Sequence, residues 1–269
     1  MTTIKINAQG DEVVILQQLL DKWGYHVLCN GIFDEVTDKA VKAYQKAWDL
    51  TIDGIVGPKT WKCLLDETAL NTAKLRVNEE DLIQAAQILN VDLAAIKAVK
   101  LIESGRQGGF IDSAHPTILF EGHIFWKLLK QKGINPIHLT NGNEDILYPK
   151  WTKKFYKGGI KEYQRLEKAK LIDEDSALCS ASWGLFQILG SNYKSCNCNS
   201  VKEFVTKMSM NEGEQLRLLI SFLKNSGWDV YLRAHNWAEF AKHYNGPIYA
   251  ANQYDVKLKA AYDKYSQNP

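Results

Sequence analysis

Three short segments of this sequence carry side chains that could perform chemistry together. The first ends an apolar helical pattern at a carboxylate, Glu103, which Ser104-Gly105 follows. A glutamate at the carboxyl end of a helix faces the negative end of the helix dipole, so stability alone does not favour it. Burial beside Leu101 and Ile102 would raise the pKa of this carboxyl group, as a general acid working near neutral pH requires. We therefore predict that Glu103 is a general acid.

The second and third segments offer polar groups that could hold a substrate beside that acid. Ser182-Trp-Gly-Leu-Phe-Gln187 contains a glycine that can adopt positive φ and a glutamine that both donates and accepts hydrogen bonds. Tyr244-Asn-Gly-Pro247 ends one predicted helix and starts another, and its tyrosine and asparagine could orient the acid or bind an acetamido group. The predicted substrate-binding residues are Ser182, Gly184, Gln187, Tyr244 and Asn245.

A general acid that cleaves a glycosidic bond usually works with a second carboxylate. Glu121 lies in an apolar setting directly after Ile118-Leu-Phe120, where a purely structural role is the alternative. Asp112 lies nine residues beyond Glu103. We predict Glu121 as the first candidate for the second catalytic carboxylate and Asp112 as the second candidate. The separation of the two carboxyl groups, which decides between retaining and inverting chemistry, is a property of the tertiary structure.

The elements that must position these residues divide the chain into two parts, and 269 residues are enough for two domains. In residues 1–66, apolar positions recur at helical spacing over 12–23 and 35–48, and a third helix starts near Pro58. The turns at 30–34 and 53–57 look like two copies of one element. This part therefore predicts a small three-helix domain with an internal repeat.

The second part is also predicted to be helical. Residues 67–77 are polar and unpatterned, which is typical of a linker, and Asn78-Glu-Glu-Asp81 has the form of a capping box that begins a helix. The best strand candidate is Pro116-Thr-Ile-Leu-Phe120. Further helices are predicted at 91–102, 123–132, 160–169, 212–225, 237–244 and 249–265. The expected fold class is mainly α, with an α-rich second domain over residues 78–269.

Composition narrows the range of partners. A formal net charge of +2 argues against a general nucleic-acid binder. The five cysteines are an odd number, which favours reduced thiols in a cytoplasm. The sequence has no apolar run of about 20 residues, and we expect no signal peptide. We expect a monomer that is made in a cytoplasm and needs no nucleic acid, membrane, metal ion or cofactor.

The first domain resembles the peptidoglycan-binding domain of cell-wall hydrolases. The resemblance is carried by three helices and by the signature Asp53-Gly-Ile-Val-Gly-Pro-Lys-Thr-Trp61. It implies that residues 1–66 hold the cell wall, and the residues of the signature that it marks for this role are Asp53, Gly54 and Trp61. A helical capping domain without a ligand is the alternative.

The second domain resembles the lysozyme-like N-acetylmuramidase domain of modular endolysins from phages that infect Gram-negative bacteria. The matching stretches are 103–105, 116–123, 158–163, 181–190 and 237–249, with Gly122 in place of an expected basic residue. Goose-type lysozymes and lytic transglycosylases share the order of the three segments. The resemblance implies hydrolysis of the β-1,4 bond between N-acetylmuramic acid and N-acetylglucosamine in peptidoglycan. Such an enzyme is made in the host cytoplasm and acts in the periplasm.

Other activities remain open at this stage. A lytic transglycosylase would cleave the same bond and carry the same segments. A cysteine amidase would use Cys179 as the nucleophile with His235 or His243 as the base. The histidines lack the spacing of a zinc amidase. A non-catalytic wall-binding protein would need only the first domain.

Overall fold

The computed structural model describes residues 1–66, 75–103, 108–246 and 249–267. The chain forms two compact units, Met1–Lys74 and Leu75–Pro269, and each is described by itself. Most of the predicted linker lies outside the described residues, as do Ser104, Gly105 and Pro247. Val77, at the end of that linker, is buried in the core of the second unit.

The first unit contains three helices, α1 (Asp11–Lys22), α2 (Glu35–Ala47) and α3 (Pro58–Leu64). The amphipathic pattern predicts the bounds of α1 and α2 to within about one residue, and α3 begins at Pro58 as expected. Asp34 caps α2 because its side chain accepts the Thr37 backbone N–H, and Pro58 occupies the first turn of α3. The helices enclose an apolar core that includes Leu16, Phe33, Tyr44 and Trp61.

The predicted internal repeat of this unit is confirmed by two buried glutamines. Each donates from Nε2 to the backbone carbonyl of an isoleucine at 3.0 Å and accepts the backbone N–H of the preceding glycine at 2.9 Å. The first set is Gln17, Gly31 and Ile32, and the second is Gln45, Gly54 and Ile55. In each turn, therefore, a helix is tied to the loop that precedes the next helix.

The second unit is also mainly helical, with ten α-helices among its described residues. The capping box at Asn78 and Asp81 is present and starts the first of them. They are α4 (Glu79–Leu89), α5 (Leu93–Glu103), α6 (Gly122–Gln131), α7 (Lys161–Lys170), α8 (Glu174–Cys179), α9 (Val201–Met208), α10 (Glu212–Ser226), α11 (Asp229–Arg233), α12 (Trp237–Tyr244) and α13 (Tyr254–Ser266). The sequence did not predict the short helices α8, α9 and α11.

A small antiparallel sheet stands among these helices, with the strand order β1 (Ile118–Phe120), β2 (Ala181–Trp183) and β3 (Ile188–Leu189). Ile118 pairs with Trp183, and Trp183 pairs with Ile188. Only β1 was predicted. Strands of two or three residues leave no readable alternation, so β2 and β3 depend on pairing with a distant segment.

Among the described residues, no single helix is long and apolar enough to cross a membrane. The consecutive helices Glu79–Leu89 and Leu93–Glu103 meet that test only as a pair, and they are bent by 116°.

Candidate active site

The general acid predicted from the sequence, Glu103, is the last residue of α5. One face of α5 is buried through Ile96 and Val99, which fixes the helix in the core. Of the two apolar residues that precede Glu103, Leu101 is exposed and Ile102 is half-buried. Glu103 itself is half-buried, and burial of its carboxyl group raises the pKa to about 7. At this pKa the group can carry a proton near neutral pH.

Asn245 is the polar partner of this carboxyl group. Its Nδ2 donates to Glu103 Oε1 at 3.1 Å, which opposes part of the rise in pKa because the donor stabilises the anion. The Oδ1 atom of Asn245 is buried without a hydrogen-bond partner. A buried acceptor without a partner is costly, so it is a candidate contact for an N–H group on a substrate.

Asn245 directly follows α12. The last residue of that helix, Tyr244, joins α12 to the hairpin of β2 and β3. The hydroxyl of Tyr244 donates to the Phe186 carbonyl at 2.7 Å. Burial, and secondarily the charge of Glu103, raises the pKa of Tyr244 well above its usual range. The structure thus brings together three of the predicted site residues, Glu103, Tyr244 and Asn245.

Residues 184–187 form the turn of that hairpin. Gly184 has φ +71°, and an added Cβ atom would lie 2.6 Å from Gln215 Cδ, so this position requires glycine. Gln187 also has positive φ, and its Nε2 donates to the Gly184 carbonyl at 2.8 Å. The Gly184 backbone N–H donates to Thr117 at 2.8 Å, which joins the turn to the start of β1. Ser182 lies within β2, opposite Leu119 and Leu189, rather than in the turn.

Two residues that were not predicted from the sequence hold the active-site loops in place: Gln215 contacts the turn and the Gly109 loop, and Glu212 contacts the Gly109 loop. Gln215 is fully buried, accepts the Leu185 backbone N–H at 2.7 Å and donates to the Gly109 carbonyl at 3.3 Å. Glu212 accepts the Gly109 backbone N–H at 2.8 Å. Both lie on the buried face of α10 among leucines. Polar residues three positions apart on an apolar helical face were the signal that could have revealed them.

The loop between Gly109 and Thr117 is a narrow hairpin with Asp112 near its tip. The backbone N–H of Thr117 donates to Gly109 at 2.9 Å, and that of Ile111 donates to His115 at 2.8 Å. Asp112 Oδ1 accepts the Ala114 backbone N–H at 2.8 Å, and this bond is the main cause that lowers the pKa of Asp112. Asp112 is therefore ionised at neutral pH and half-exposed, on a loop that begins six residues after Glu103.

Glu121, the first candidate for the second carboxylate, lies at the opposite end of β1. It lies four positions after Thr117, which is about 13 Å along an extended strand. Its Oε2 accepts the Tyr156 hydroxyl at 2.7 Å and lies 3.3 Å from His123 Nδ1. No contact joins Glu121 to Glu103 within the described ranges. The geometry therefore favours the structural alternative for Glu121.

The residues predicted to bind the wall have internal roles in the first unit. Trp61 is only 3% exposed, and its indole N–H donates to the Thr2 carbonyl at 2.8 Å. Gly54 is buried, and Asp53 accepts the Ile55 backbone N–H at 2.8 Å within its own turn. A buried indole cannot stack on a sugar, so the prediction for Trp61 is corrected. The buried residues of the signature, Gly54 and Trp61, therefore support the fold of this unit, whereas Asp53 is exposed and stays a prediction.

The alternative of a cysteine amidase receives no support from the geometry. Burial raises the pKa of Cys179 to about 11, whereas an activated nucleophile needs a lowered value. His235 contacts Asp92, and His243 stacks on Tyr231. Neither histidine contacts Cys179 among the residues that the structure describes.

Comparison with known proteins agrees with this geometry. A family model for N-acetylmuramidase matches residues 92–266, and one for a putative peptidoglycan binding domain matches residues 9–64. The fold and the site thus define a peptidoglycan glycoside hydrolase with a separate binding module. The chain belongs to the N-acetylmuramidase family, and its two modules have the architecture of a phage endolysin.

The chain is also similar to one solved structure and to one curated protein. The crystal structure of the Burkholderia AP3 phage endolysin superposes with a TM-score of 0.69 at 36% identity, covering 99% of this chain and 100% of that one. The N-acetylmuramoyl-L-alanine amidase CwlM of Mycobacterium tuberculosis is 29% identical over 125 residues. That match covers 44% of this chain and 30% of the length of CwlM.

The raised pKa of Glu103 predicts the pH dependence of activity. Because the acid must be protonated to donate, kcat/KM is expected to fall as pH rises through about 7. Asn245→Ala removes a hydrogen bond that lowers this pKa, so the falling limb should move to higher pH. A pH profile of glycan cleavage from pH 5 to pH 9 measures both effects. Asn236→Ala, which removes only the cap of α12, is the control. If kcat/KM of Asn245→Ala falls at the same pH as that of the wild type, the assignment of Glu103 is contradicted.

Proposed function

We propose that this endolysin hydrolyses the β-1,4 bond between N-acetylmuramic acid and N-acetylglucosamine, with Glu103 as the general acid. The observation that carries the proposal is the half-buried carboxyl group of Glu103, which contacts Asn245 and whose pKa is raised by burial to about 7. A protonated Glu103 can deliver its proton to the glycosidic oxygen as the bond breaks. Its carboxylate then remains beside the amide of Asn245, which stabilises the negative charge.

The polar groups around Glu103 support binding of an N-acetylated sugar. The unpartnered Oδ1 of Asn245 can accept the N–H of an acetamido group. The Nε2 atom of Gln187 donates to the Gly184 carbonyl, and its side-chain oxygen is proposed to accept a hydrogen bond from a substrate hydroxyl or amide. Tyr244 acts indirectly, since its hydroxyl is bound to the Phe186 carbonyl and holds Asn245 against the acid.

For the second carboxylate we propose Asp112, reversing the order of preference derived from the sequence. A group that stabilises a glycosyl cation or orients a water must be ionised, and hydrogen bonds from Ala114 and His115 keep the pKa of Asp112 low. Its loop is also joined to the active-site hairpin through Thr117. Glu121 instead accepts a hydrogen bond from the Tyr156 hydroxyl.

Paired substitutions distinguish these two carboxylates. Asp112→Asn is expected to lower kcat about 10²-fold with an unchanged melting temperature, since a half-exposed side chain contributes little to packing. Glu121→Gln is expected to retain most of the activity and to melt earlier, because it weakens the contacts with Tyr156 and His123. Turnover of purified sacculi and thermal melts of both variants provide the measurement. The reverse pattern would restore Glu121 as the catalytic partner.

The two modules are proposed to act on one polymer, with the first unit holding the wall while the second cuts it. Linking two binding modules raises the effective concentration of each near the polymer. We also propose that the enzyme is a monomer without a nucleic-acid, membrane or metal partner, made in the host cytoplasm and acting in the periplasm. Light scattering of the purified chain, alone and with DNA, would reveal a dimer or a complex that contradicts this.

Analysis of the fragments released from purified sacculi tests the proposed reaction. Hydrolysis by an N-acetylmuramidase leaves muramic acid with a free reducing end. Anhydro-muramic ends would show a lytic transglycosylase, because the sugar's own 6-hydroxyl then attacks in place of water. Stem peptides with newly freed amino termini, released from an intact glycan, would show an amidase. An unchanged wall would show a binding protein. Mass spectrometry separates these four results in one digest.

A further inference from the structure

One segment of the second unit is strongly basic and carries an exposed aromatic ring. The Lys–Trp loop, residues 149–161, contains five lysines and no acidic residue. All five lysines are exposed, and Trp151 is 56% exposed. Within the described part of the chain, none of these lysines has a carboxylate within 4.0 Å. The five lysines are 150, 153, 154, 157 and 161.

The charges and the ring form one surface. Lys153 Nζ lies 5.8 Å from the centre of the Trp151 ring, and Lys154 Nζ lies 5.2 Å from that of Phe155. Phe155 in turn stacks on the buried Tyr148 with 5.0 Å between ring centres. The apolar part of the loop is therefore anchored to the core, while Trp151 and the ammonium groups remain accessible.

Buried polar residues fix this loop from beneath. Glu162 is fully buried and accepts the backbone N–H groups of Lys157 at 2.6 Å and Gly158 at 3.1 Å. Arg165 neutralises Glu162 at 2.7 Å, and the Tyr156 hydroxyl donates to Glu121. A loop that is held in this way loses little conformational freedom when it binds a ligand, so its contacts are not offset by a large ordering cost.

The loop also runs beside the strand that leads to the active site. Tyr156 contacts Glu121 just after β1 ends, and the hydroxyl of Tyr163, on α7, donates to the Pro116 carbonyl just before β1 starts. Thr117, next to Pro116, is bonded to Gly109 and Gly184 of the active-site loops. A long polymer bound at Glu103 can thus extend along the edge of β1 toward the loop.

We propose that the Lys–Trp loop is a second contact for peptidoglycan, outside the site of bond cleavage. Trp151 would stack on a sugar ring, and the lysines would bind the carboxylates of the stem peptides. Peptidoglycan is a polymer of sugars and carboxylate-bearing peptides, so it fits both the exposed ring and the unneutralised positive charge. The inference rests on the proposed function in taking peptidoglycan as the substrate, and it adds where the polymer is held.

Binding of the full chain to purified sacculi tests this proposal. Glu103→Gln serves as the background so that the wall stays intact, and Trp151→Ala or the pair Lys153→Glu with Lys154→Glu is added to it. Each is expected to weaken binding about tenfold. Raising the salt concentration from about 0.05 to 0.5 M should weaken binding of the Glu103→Gln protein, because salt screens exposed charges. The same change should have less effect on the variant that also carries Lys153→Glu and Lys154→Glu.

The pair Lys130→Glu and Lys224→Glu is the matched control, since it makes the same change in net charge at exposed helical lysines. An equal loss in this control would mean that only net charge matters and would overturn the proposal. Undiminished binding by the Trp151 and lysine variants would also overturn it. The proposal would also be overturned if these variants bound sacculi normally but no longer bound phosphatidylglycerol vesicles. The loop would then contact lipid. The products formed by the wild-type enzyme test the proposed reaction separately, so the two ideas can fail independently.

Discussion

Glu103→Gln is expected to lower the rate of glycan cleavage by at least about 10²-fold, and by up to about 10⁴-fold. The glutamine keeps the shape of the side chain and can still contact Asn245, but it has no proton to deliver to the leaving oxygen. Turnover of purified sacculi by equal amounts of variant and wild-type protein gives the measurement. Glu167→Gln, at an exposed carboxylate on α7, should cleave at the wild-type rate.

The same substitution has a stability signature that confirms the folded state of the variant. The folded-state pKa of Glu103 is raised from 4.5 to about 7, so the buried anion is penalised in the folded protein. The stability of the wild type should therefore fall, through this group, as pH rises from about 4.5 to about 7. The introduced glutamine does not ionise, so the variant should gain stability relative to the wild type between pH 5 and pH 8. A variant that cleaves at more than a tenth of the wild-type rate would refute Glu103 as the acid.

Arg165→Met is expected to destabilise the second unit by about 3–5 kcal/mol. Arg165 and Glu162 are both fully buried, with Arg165 Nη1 at 2.7 Å from Glu162 Oε2 and at 2.9 Å from the Phe120 carbonyl. Methionine has similar bulk but leaves the Glu162 carboxylate buried without its counter-charge. Urea denaturation followed by circular dichroism measures the loss.

Two companion variants show whether the unpaired charge is the cause. Lys168 lies on the same helix as Arg165 and makes a more exposed ion pair with Asp145. Lys168→Met, which breaks that pair, should lower the free energy of unfolding by about 1 kcal/mol or less. The double variant Glu162→Gln with Arg165→Met should recover part of the loss, because no buried charge is left unpaired. A single variant as stable as the wild type would show that the Glu162 carboxyl group is protonated or hydrated without Arg165.

The sequence by itself determined the local elements and the candidate for the acid. Helical periodicity and caps are local properties, so α1, α2, the capping box at Asn78 and the end of α5 at Glu103 follow from neighbouring residues. The repeated turns at 30–34 and 53–57 were visible because the same residue types recur in the same order. The segment around Asn245 was predicted to lie near Glu103, and the two side chains are in contact, whereas the hairpin that contains Gln187 was not predicted.

Only the tertiary structure decided which polar residues face the acid and which support the fold. Glu121 and Asp112 are both plausible partners in the sequence, but a strand of about 13 Å separates Glu121 from the loops that Thr117 joins. Trp61 matches a binding signature and yet fills a core. Gln215 reaches Leu185 across 30 residues of chain and Gly109 across 106. Such contacts depend on how distant segments pack, and side-chain burial and hydrogen-bond partners are set only by that packing.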